Sequence, residues 1–247
     1  MSFNTIEEKI VTYFKEIGAN GILLTGSYAT NTQTETSDID IRLILENEKT
    51  HTIKGIKYID NYKISYFGEN PEMVKRRMSI DFSRNSRFEA RLYTLGKILY
   101  DRDGHTEEII QYAKIFIENE FQRKLTQDDI ILNMYSLHIS YQFLSSLSAK
   151  HPFYTYNYIS LMKAMLLTYS YIINYEVAID VKLDKTLHDS SYCAINHWKE
   201  FPDQVFIELW IKGIAKIKQK NIKIVYKYLK SKILDIEGKD FEAVYRG

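Results

Sequence analysis

The strongest constraint on this chain is a short segment that runs from Thr25 to Ile41. The apolar run Gly21–Thr25 predicts a short buried strand, and Gly26 and Ser27 follow it directly. A second apolar run predicts another strand over 38–45. The segment therefore places a small-residue turn and a pair of acidic residues at the ends of two neighbouring strands.

The acidic pair in this segment is Asp38 and Asp40. Residues two apart on a strand point to the same side, so we expect both carboxylates on one side while Ile39 and Ile41 enter the core. Two like charges this close are costly unless a cation lies between them. Their oxygens suit Mg²⁺ that arrives on nucleotide phosphates, so the pair predicts a magnesium site.

The turn before the acidic pair predicts a phosphate site. Gly26 has no side chain and lets the backbone approach a phosphate closely. Amides of the next helical turn, together with the Ser27 hydroxyl, can hold phosphate oxygens. A strand whose aspartates merely face solvent would not need this turn.

With Ser37 just before the first aspartate, the segment GSYATNTQTETSDID resembles the signature of the DNA polymerase beta superfamily of nucleotidyltransferases. The residues of this segment are similar to those of small bacterial members. The layout of the chain, an αβ half followed by a helical half, resembles the kanamycin-type aminoglycoside nucleotidyltransferases. The resemblance implies catalytic and metal-binding roles for Asp38 and Asp40. It also implies nucleotide binding by Gly26, Ser27 and Ser37, and Mg²⁺ as the cofactor.

The activity implied by the resemblance is transfer of a nucleoside monophosphate from a Mg²⁺-bound nucleoside triphosphate to an acceptor hydroxyl. The expected acceptor is a small molecule, an aminoglycoside-like antibiotic on layout alone, which would make the chain an antibiotic-resistance enzyme. Two alternatives stay open. One is AMP transfer to a protein, as in antitoxin-type members, and the other is a nucleotide-binding module whose catalysis has decayed.

The same resemblance predicts an α+β fold in two domains. We expect a nucleotidyltransferase domain over 1–104, with a mixed sheet and flanking helices, and an all-α helical bundle over 105–247. Further strands are expected at 52–60 and 63–67, and helices at 71–78 and 86–99. In the second half, apolar residues at helical spacing predict helices over 107–121, 127–149, 154–175, 203–217 and 222–234.

The position at which the superfamily commonly has a third carboxylate is occupied by a serine in this chain. The superfamily commonly supplies it from a later strand, and the matching residue here is Ser65, which cannot act as a charged ligand or as a useful base. Asp60 and Glu69 could replace it only if the chain bends.

Three explanations for Ser65 stay open. The base could come from the helical half, the protein could bind nucleotide with little or no transfer, or the alignment of this strand could be shifted. Candidate bases for the first explanation are Glu118, Glu120, Asp128, Asp129 and Glu176.

A basic run follows the strands, and we expect at least one of its members to serve the triphosphate. Arg42, two residues after Asp40, is expected on the same side of its strand, where it could neutralise the carboxylates or a phosphate, or pair with Glu46. The run comprises Lys75, Arg76, Arg77, Arg84, Arg87 and Arg91.

The balance of 33 Lys and Arg against 32 Asp and Glu argues against a nucleic-acid partner, because such binding needs a basic surface. The single cysteine, Cys193, fits a reducing compartment. No N-terminal stretch pairs a basic region with an apolar run of signal length, and no run approaches 18 apolar residues, so we expect a cytoplasmic protein without a membrane partner. A homodimer is compatible with the sequence.

Overall fold

The computed structural model describes residues 3–46, 48–122 and 125–244. The chain forms two compact units. The first contains residues up to Phe121 together with Ser191–Trp198, and the second contains Gln122–Ser190 and the residues from Lys199 onward. The α+β prediction is confirmed, because a mixed sheet occupies the first half and helices follow it.

The first unit is built on a five-stranded sheet in the order β3-β4-β2-β1-β5. Strands β2 and β4 are parallel, and the other neighbouring pairs are antiparallel. The strands are β1 (Gly21–Thr25), β2 (Ile39–Ile44), β3 (Ile53–Ile59), β4 (Tyr62–Glu69) and β5 (Lys97–Asp101).

Among the described residues up to Glu118, five helices accompany the sheet, and α3 shows how the sequence starts one of them. Asn70 caps α3 by accepting a hydrogen bond from the Met73 amide at 2.9 Å, and Pro71 occupies the first turn, where proline is well tolerated. The helices are α1 (Phe3–Glu16), α2 (Gly26–Ala29), α3 (Pro71–Ser83), α4 (Phe88–Thr94) and α5 (His105–Glu118).

The sheet buries its two faces against different helices. One face packs on α1 and contains Ile39, Ile41 and Leu43, as their alternation predicts. The other face packs partly on α3, α4 and α5, whose contributions to the second core include Val74, Met78, Tyr93 and Ile109. We call this second face the site face, because strand alternation places Asp40 and Arg42 on it.

The helix predicted over 86–99 is wrong beyond Thr94. The chain instead turns at Gly96 and forms β5, which pairs with β1. A Cβ on Gly96 would lie 2.6 Å from a methyl carbon of the buried Leu23 side chain, so glycine avoids a close contact where the chain enters β5.

The predicted domain boundary at 104 assigned α5 to the helical half. In the structure α5 packs against α3, α4, β1 and β5, and it belongs to the first compact unit. Its buried residues Ile109 and Ala113 complete the core beneath the site face.

The second unit is a bundle of four longer helices with short helical segments between them. Trp210 donates a hydrogen bond to the Met162 carbonyl at 2.6 Å, which joins two helices of its core. The long helices are α6 (Gln127–Ser146), α7 (Tyr154–Ile172), α10 (Gln204–Ala215) and α11 (Gln219–Lys232). The short segments are the 3₁₀ turn Asp180–Lys182 and α8 (Leu183–His188), while α9 (Ser190–Ile195) falls mostly within the first unit. Among the described helices, none combines the length and the apolar character needed to cross a membrane.

Candidate active site

The turn after β1 presses its backbone against the second aspartate. Gly26 has φ +66°, and a Cβ at this position would lie 2.3 Å from Oδ2 of Asp40. The neighbouring Thr25 pairs with Asp40 across the strands and donates a hydrogen bond from its hydroxyl to the Asp40 carbonyl at 3.2 Å. Glycine is therefore needed here both for the backbone conformation and for the close approach.

A network of hydroxyl and amide groups holds the segment that follows. The Thr30 hydroxyl donates to the Gly26 carbonyl at 3.3 Å, and the Thr32 amide donates to the Ser27 carbonyl at 2.9 Å. These bonds fix α2, whose first residues are Gly26 and Ser27. The Ser27 side chain is half-buried at this turn.

Ser37 has a local role in the loop before β2. Its hydroxyl accepts a hydrogen bond from the Thr34 amide at 2.9 Å, and its amide donates to the Thr34 carbonyl at 3.1 Å. These contacts close a tight turn immediately before Asp38. Nucleotide binding by Ser37 stays a prediction.

The two aspartates lie at the start of β2. Asp38 precedes the strand, and Asp40 lies within it on the site face, while Ile39 is fully buried on the opposite side. Asp38 forms an ion pair with Lys63 of β4, with 3.5 Å between the charged atoms. Both charged side chains of this pair keep substantial exposure, at 37% for Asp38 and 46% for Lys63, so the carboxylate is open to solvent.

The register of the parallel strands places Ser65 directly beside Asp40. This is the position at which the resemblance expects a third carboxylate. Among the described residues, no group of three or more His, Cys, Asp or Glu side chains could hold a metal ion. The sheet therefore offers two carboxylates and a hydroxyl.

Neither nearby acid replaces the missing carboxylate. Asp60 lies in the β3–β4 turn and is paired with Lys9 of α1 at 2.8 Å. Glu69 lies at the far end of β4, 1% exposed, where it accepts hydrogen bonds from Arg77 and from the Thr52 hydroxyl. Both carboxylates are held by other partners.

A buried charge network continues along the site face beyond Asp40. Arg42 pairs with Glu89 of α4 at 3.3 Å, and both side chains are nearly buried. The guanidinium groups of Arg42 and Arg77 lie 4.7 and 4.9 Å from the centroid of the Phe67 ring. Burial raises the pKa of Glu89, and the nearby Arg42 opposes that rise.

A family model for the nucleotidyltransferase domain matches residues 7–138, which is more than half of the chain. The chain belongs to the nucleotidyltransferase domain family. The matched range begins in α1 and ends in α6, so it includes the turn, the acidic pair and every strand of the sheet.

One solved structure gives a second comparison. The crystal structure of a nucleotidyltransferase-like protein from Exiguobacterium sibiricum 255-15 is similar to this chain with a TM-score of 0.46 and 11% sequence identity. The likeness covers 92% of this chain and 73% of that protein. No curated protein matches the chain in sequence. The family assignment rests on the sequence match to the domain model.

Most of the arginines predicted for the triphosphate have structural contacts in this nucleotidyltransferase domain. Arg42 pairs with Glu89 rather than with Glu46. Arg87 donates to the carbonyls of Phe116 and Asn119, and Arg91 lies 4.0 Å from the Trp198 ring centroid.

The acids predicted as bases from the second half are spread over different local environments. Asp129 forms a reciprocal capping box with Thr126 at the start of α6, and Asp128 accepts a hydrogen bond from the Val244 amide. Glu176 is buried at 6% exposure. Two others, Glu118 and Glu120, belong to the sheet unit of the nucleotidyltransferase domain.

Sequence reasoning missed Glu89 and its pairing with Arg42. A glutamate on a short helix is typical of a solvated surface, and its spacing carried no functional signal. The available hint was the run Arg87, Glu89 and Arg91, in which charged residues alternate with apolar ones from the N-cap into a single short helix.

Proposed function

We propose that the first unit transfers a nucleoside monophosphate from a Mg²⁺-bound nucleoside triphosphate to the hydroxyl of a small-molecule acceptor. The observation that carries this proposal is the contact between Gly26 and Asp40. It brings the turn that we propose to bind phosphate against a carboxylate of the acidic pair. A surface strand of unrelated function has no need for this approach.

The oxygen ligands of the site fit a magnesium ion. Asp38 and Asp40 would hold it, because Mg²⁺ is commonly bound by one or two carboxylates together with water and substrate phosphates. The ion supplies charge neutralisation at the triphosphate. Gly26 and Ser27 would bind the β- and γ-phosphates through backbone amides and the serine hydroxyl, and Ser37 would keep the loop before Asp38 in place.

The residues of the chain would contribute mainly by holding the reacting groups in place. Phosphoryl transfer asks a protein to align the nucleophile and to neutralise charge, and little proton chemistry is needed at the sheet itself. Ser65 cannot take the proton of the acceptor hydroxyl near neutral pH. We infer that the proton acceptor comes from outside the sheet.

Ser65 also favours a second candidate, a nucleotide-binding module without transfer. The two candidates differ in turnover. Titration calorimetry with ATP and GTP, each with and without Mg²⁺, tests binding. Pyrophosphate release with a panel of hydroxyl acceptors, kanamycin included, tests transfer, and labelling with radioactive ATP tests AMP transfer to protein.

The discriminating variants are Asp38→Asn and Asp40→Asn, with the exposed Asp184→Asn of the second unit as the matched control. For a transferase we expect each site variant to lose turnover about a hundredfold or more, since metal-held charge stabilisation is worth several kcal/mol. Asp184→Asn should retain full turnover. Wild-type protein that binds no nucleotide with Mg²⁺ would exclude both candidates.

A further inference from the structure

The site face contains a straight row of residues that crosses four elements. The pairing registers place Thr25 beside Asp40, Asp40 beside Ser65, and Ser65 beside Ile56 of the edge strand β3. Neighbouring strands lie about 4.8 Å apart, so Ile56 is about 10 Å from Asp40 on the side away from Gly26. A small serine is the only side chain between them in this row.

The residues of β3 that share this face are Lys54, Ile56 and Tyr58, which we call the β3 strip. Ile56 is 57% exposed and Tyr58 is 68% exposed, the highest values for large apolar side chains among the described residues of the first unit. On the opposite side of the strand, Ile53 and Ile59 pack into the α1 core. On the described strand β3, the open apolar surface is therefore confined to the site face.

This inference rests on the proposed function. If the first unit transfers a nucleoside monophosphate, the geometry of the reaction places the acceptor molecule over the β3 strip. The attacking oxygen and the leaving pyrophosphate lie roughly in line across the α-phosphorus. Pyrophosphate held at Gly26 and Ser27 would leave on one side of the acidic pair. The acceptor hydroxyl then enters from the opposite side, over Ser65, and the body of the acceptor extends toward Ile56 and Tyr58.

The charge of the strip limits the chemistry of the acceptor. Lys54 precedes the apolar pair along β3, and Lys63, which pairs with Asp38, lies beside Tyr58 on β4. Within the described strand β3 the site face has no acidic residue, so a polycation would meet the ammonium group of Lys54. A flat apolar ring would bury the Ile56 side chain and stack on Tyr58, and an acidic substituent would find a lysine.

We propose that the acceptor is an aromatic or similarly flat apolar alcohol, neutral or anionic, and that Ile56 and Tyr58 determine this specificity. In the reaction its hydroxyl oxygen forms a bond to the α-phosphorus, and the bond from that phosphorus to the bridging oxygen breaks. Pyrophosphate leaves with the electron pair, and the hydroxyl proton passes to solvent.

The test uses the full chain with Mg²⁺ and α,β-methylene-ATP, which binds without reacting. Benzyl alcohol, para-hydroxymethylbenzoate and kanamycin serve as probes, observed by saturation-transfer NMR and by competition. The variants are Ile56→Ala, Tyr58→Ala, Tyr58→Phe and Lys54→Glu. The matched control is Tyr156→Ala, because Tyr156 of the second unit is equally exposed at 69%.

We expect both aromatic probes to bind the wild type and kanamycin not to displace them. Tyr58→Ala and Ile56→Ala should weaken aromatic binding about tenfold, while Tyr58→Phe and Tyr156→Ala leave it unchanged. Lys54→Glu should weaken the binding of para-hydroxymethylbenzoate more than the binding of benzyl alcohol, because only para-hydroxymethylbenzoate carries a charge.

Three results would overturn the inference: no aromatic probe binds, kanamycin competes with them, or Tyr58→Ala binds them like the wild type. A different assignment follows if Tyr58→Ala weakens Mg²⁺-bound ATP but not Mg²⁺-bound tripolyphosphate, because the strip would then hold the nucleobase. Failure of Mg²⁺-bound ATP to bind the wild type would instead refute the proposed function, so the two failures are distinguishable.

Discussion

Gly26 and Asp40 are separated by less space than any side chain at position 26 would need, since a Cβ there would lie 2.3 Å from the Asp40 carboxylate oxygen. The contact joins the end of β1 to the start of β2. Two consequences of replacing Gly26 can be measured separately: the clash with Asp40 and the strain of a left-handed backbone on a residue with a side chain.

We predict that Gly26→Ala lowers the affinity for Mg²⁺-bound ATP and destabilises the protein by about 2 kcal/mol or more, because it adds a clash to the cost of a left-handed alanine. Gly104→Ala is the control. Gly104 has φ +77°, and nothing lies within 4 Å of a Cβ built there. Urea unfolding and calorimetry of both variants measure the difference, and equal losses would show that the contact with Asp40 has no separate effect.

Ser65→Asp should restore a third carboxylate beside Asp40. Without Mg²⁺ this variant should melt at a lower temperature than the wild type, because a third like charge joins the site. Added Mg²⁺ should recover more stability in the variant than in the wild type. Thermal unfolding with and without Mg²⁺ tests this, with Ser65→Asn as the uncharged control. An equal response to Mg²⁺ in all three proteins would count against a metal site here.

We expect Arg42 to stabilise the sheet unit through its pairing with buried Glu89. Arg42→Met should cost about 1–3 kcal/mol and raise the pKa of Glu89 further, because a buried carboxylate loses its cation. In a Glu89→Gln background the same change should cost less. Urea unfolding of the single and double variants gives the coupling, and additive effects would contradict it. Glu208→Gln, which breaks the exposed pair with Lys212, should change stability little.

We expect Asp203 to make the stability of the second unit depend on pH in the acidic range. Burial tends to raise the pKa of its carboxyl. Hydrogen bonds from Tyr169, the Phe206 amide and Tyr228 outweigh that tendency and hold the pKa below its usual value of 3.8.

A lowered folded-state pKa means that Asp203 stabilises the fold above about pH 4 and that this contribution is lost as the pH falls below that value. We predict that Asp203→Asn unfolds more easily than the wild type at pH 7 and that the gap narrows below pH 4. Chemical denaturation across this range measures the gap, and a constant gap would show that the charge of Asp203 contributes nothing. Asparagine keeps one oxygen for the capping role at the start of α10, while its NH2 group replaces the oxygen that accepts from Tyr169.

The sequence predicted the structure best where the spacing of apolar residues alone determines which side chains are buried. The alternation of Ile39, Asp40 and Ile41 predicted which side chains enter the core, and the structure confirms it. The apolar spacing of the second half predicted the four long helices of the bundle. In both cases, local periodicity carries the information.

Features that depend on distant pairing could not be predicted. Strand β5 follows a helical pattern without interruption except at Gly96, and its pairing with β1 decides its conformation. The burial of Glu89 depends on Arg42, which is far away in sequence. The position of Ser65 beside Asp40 was expected from resemblance, but only the strand register could establish it.

The ion pair between Asp38 and Lys63 bears on whether Mg²⁺ would bind at the proposed site before the nucleotide or together with it. Asp38 already has a cation beside it, and this pair is exposed enough to open at little cost. A bare Mg²⁺ ion would therefore compete with a tethered ammonium group for the same carboxylate. A magnesium ion bound to a triphosphate brings its own anionic oxygens, to which Lys63 can turn, so metal and nucleotide should enter together.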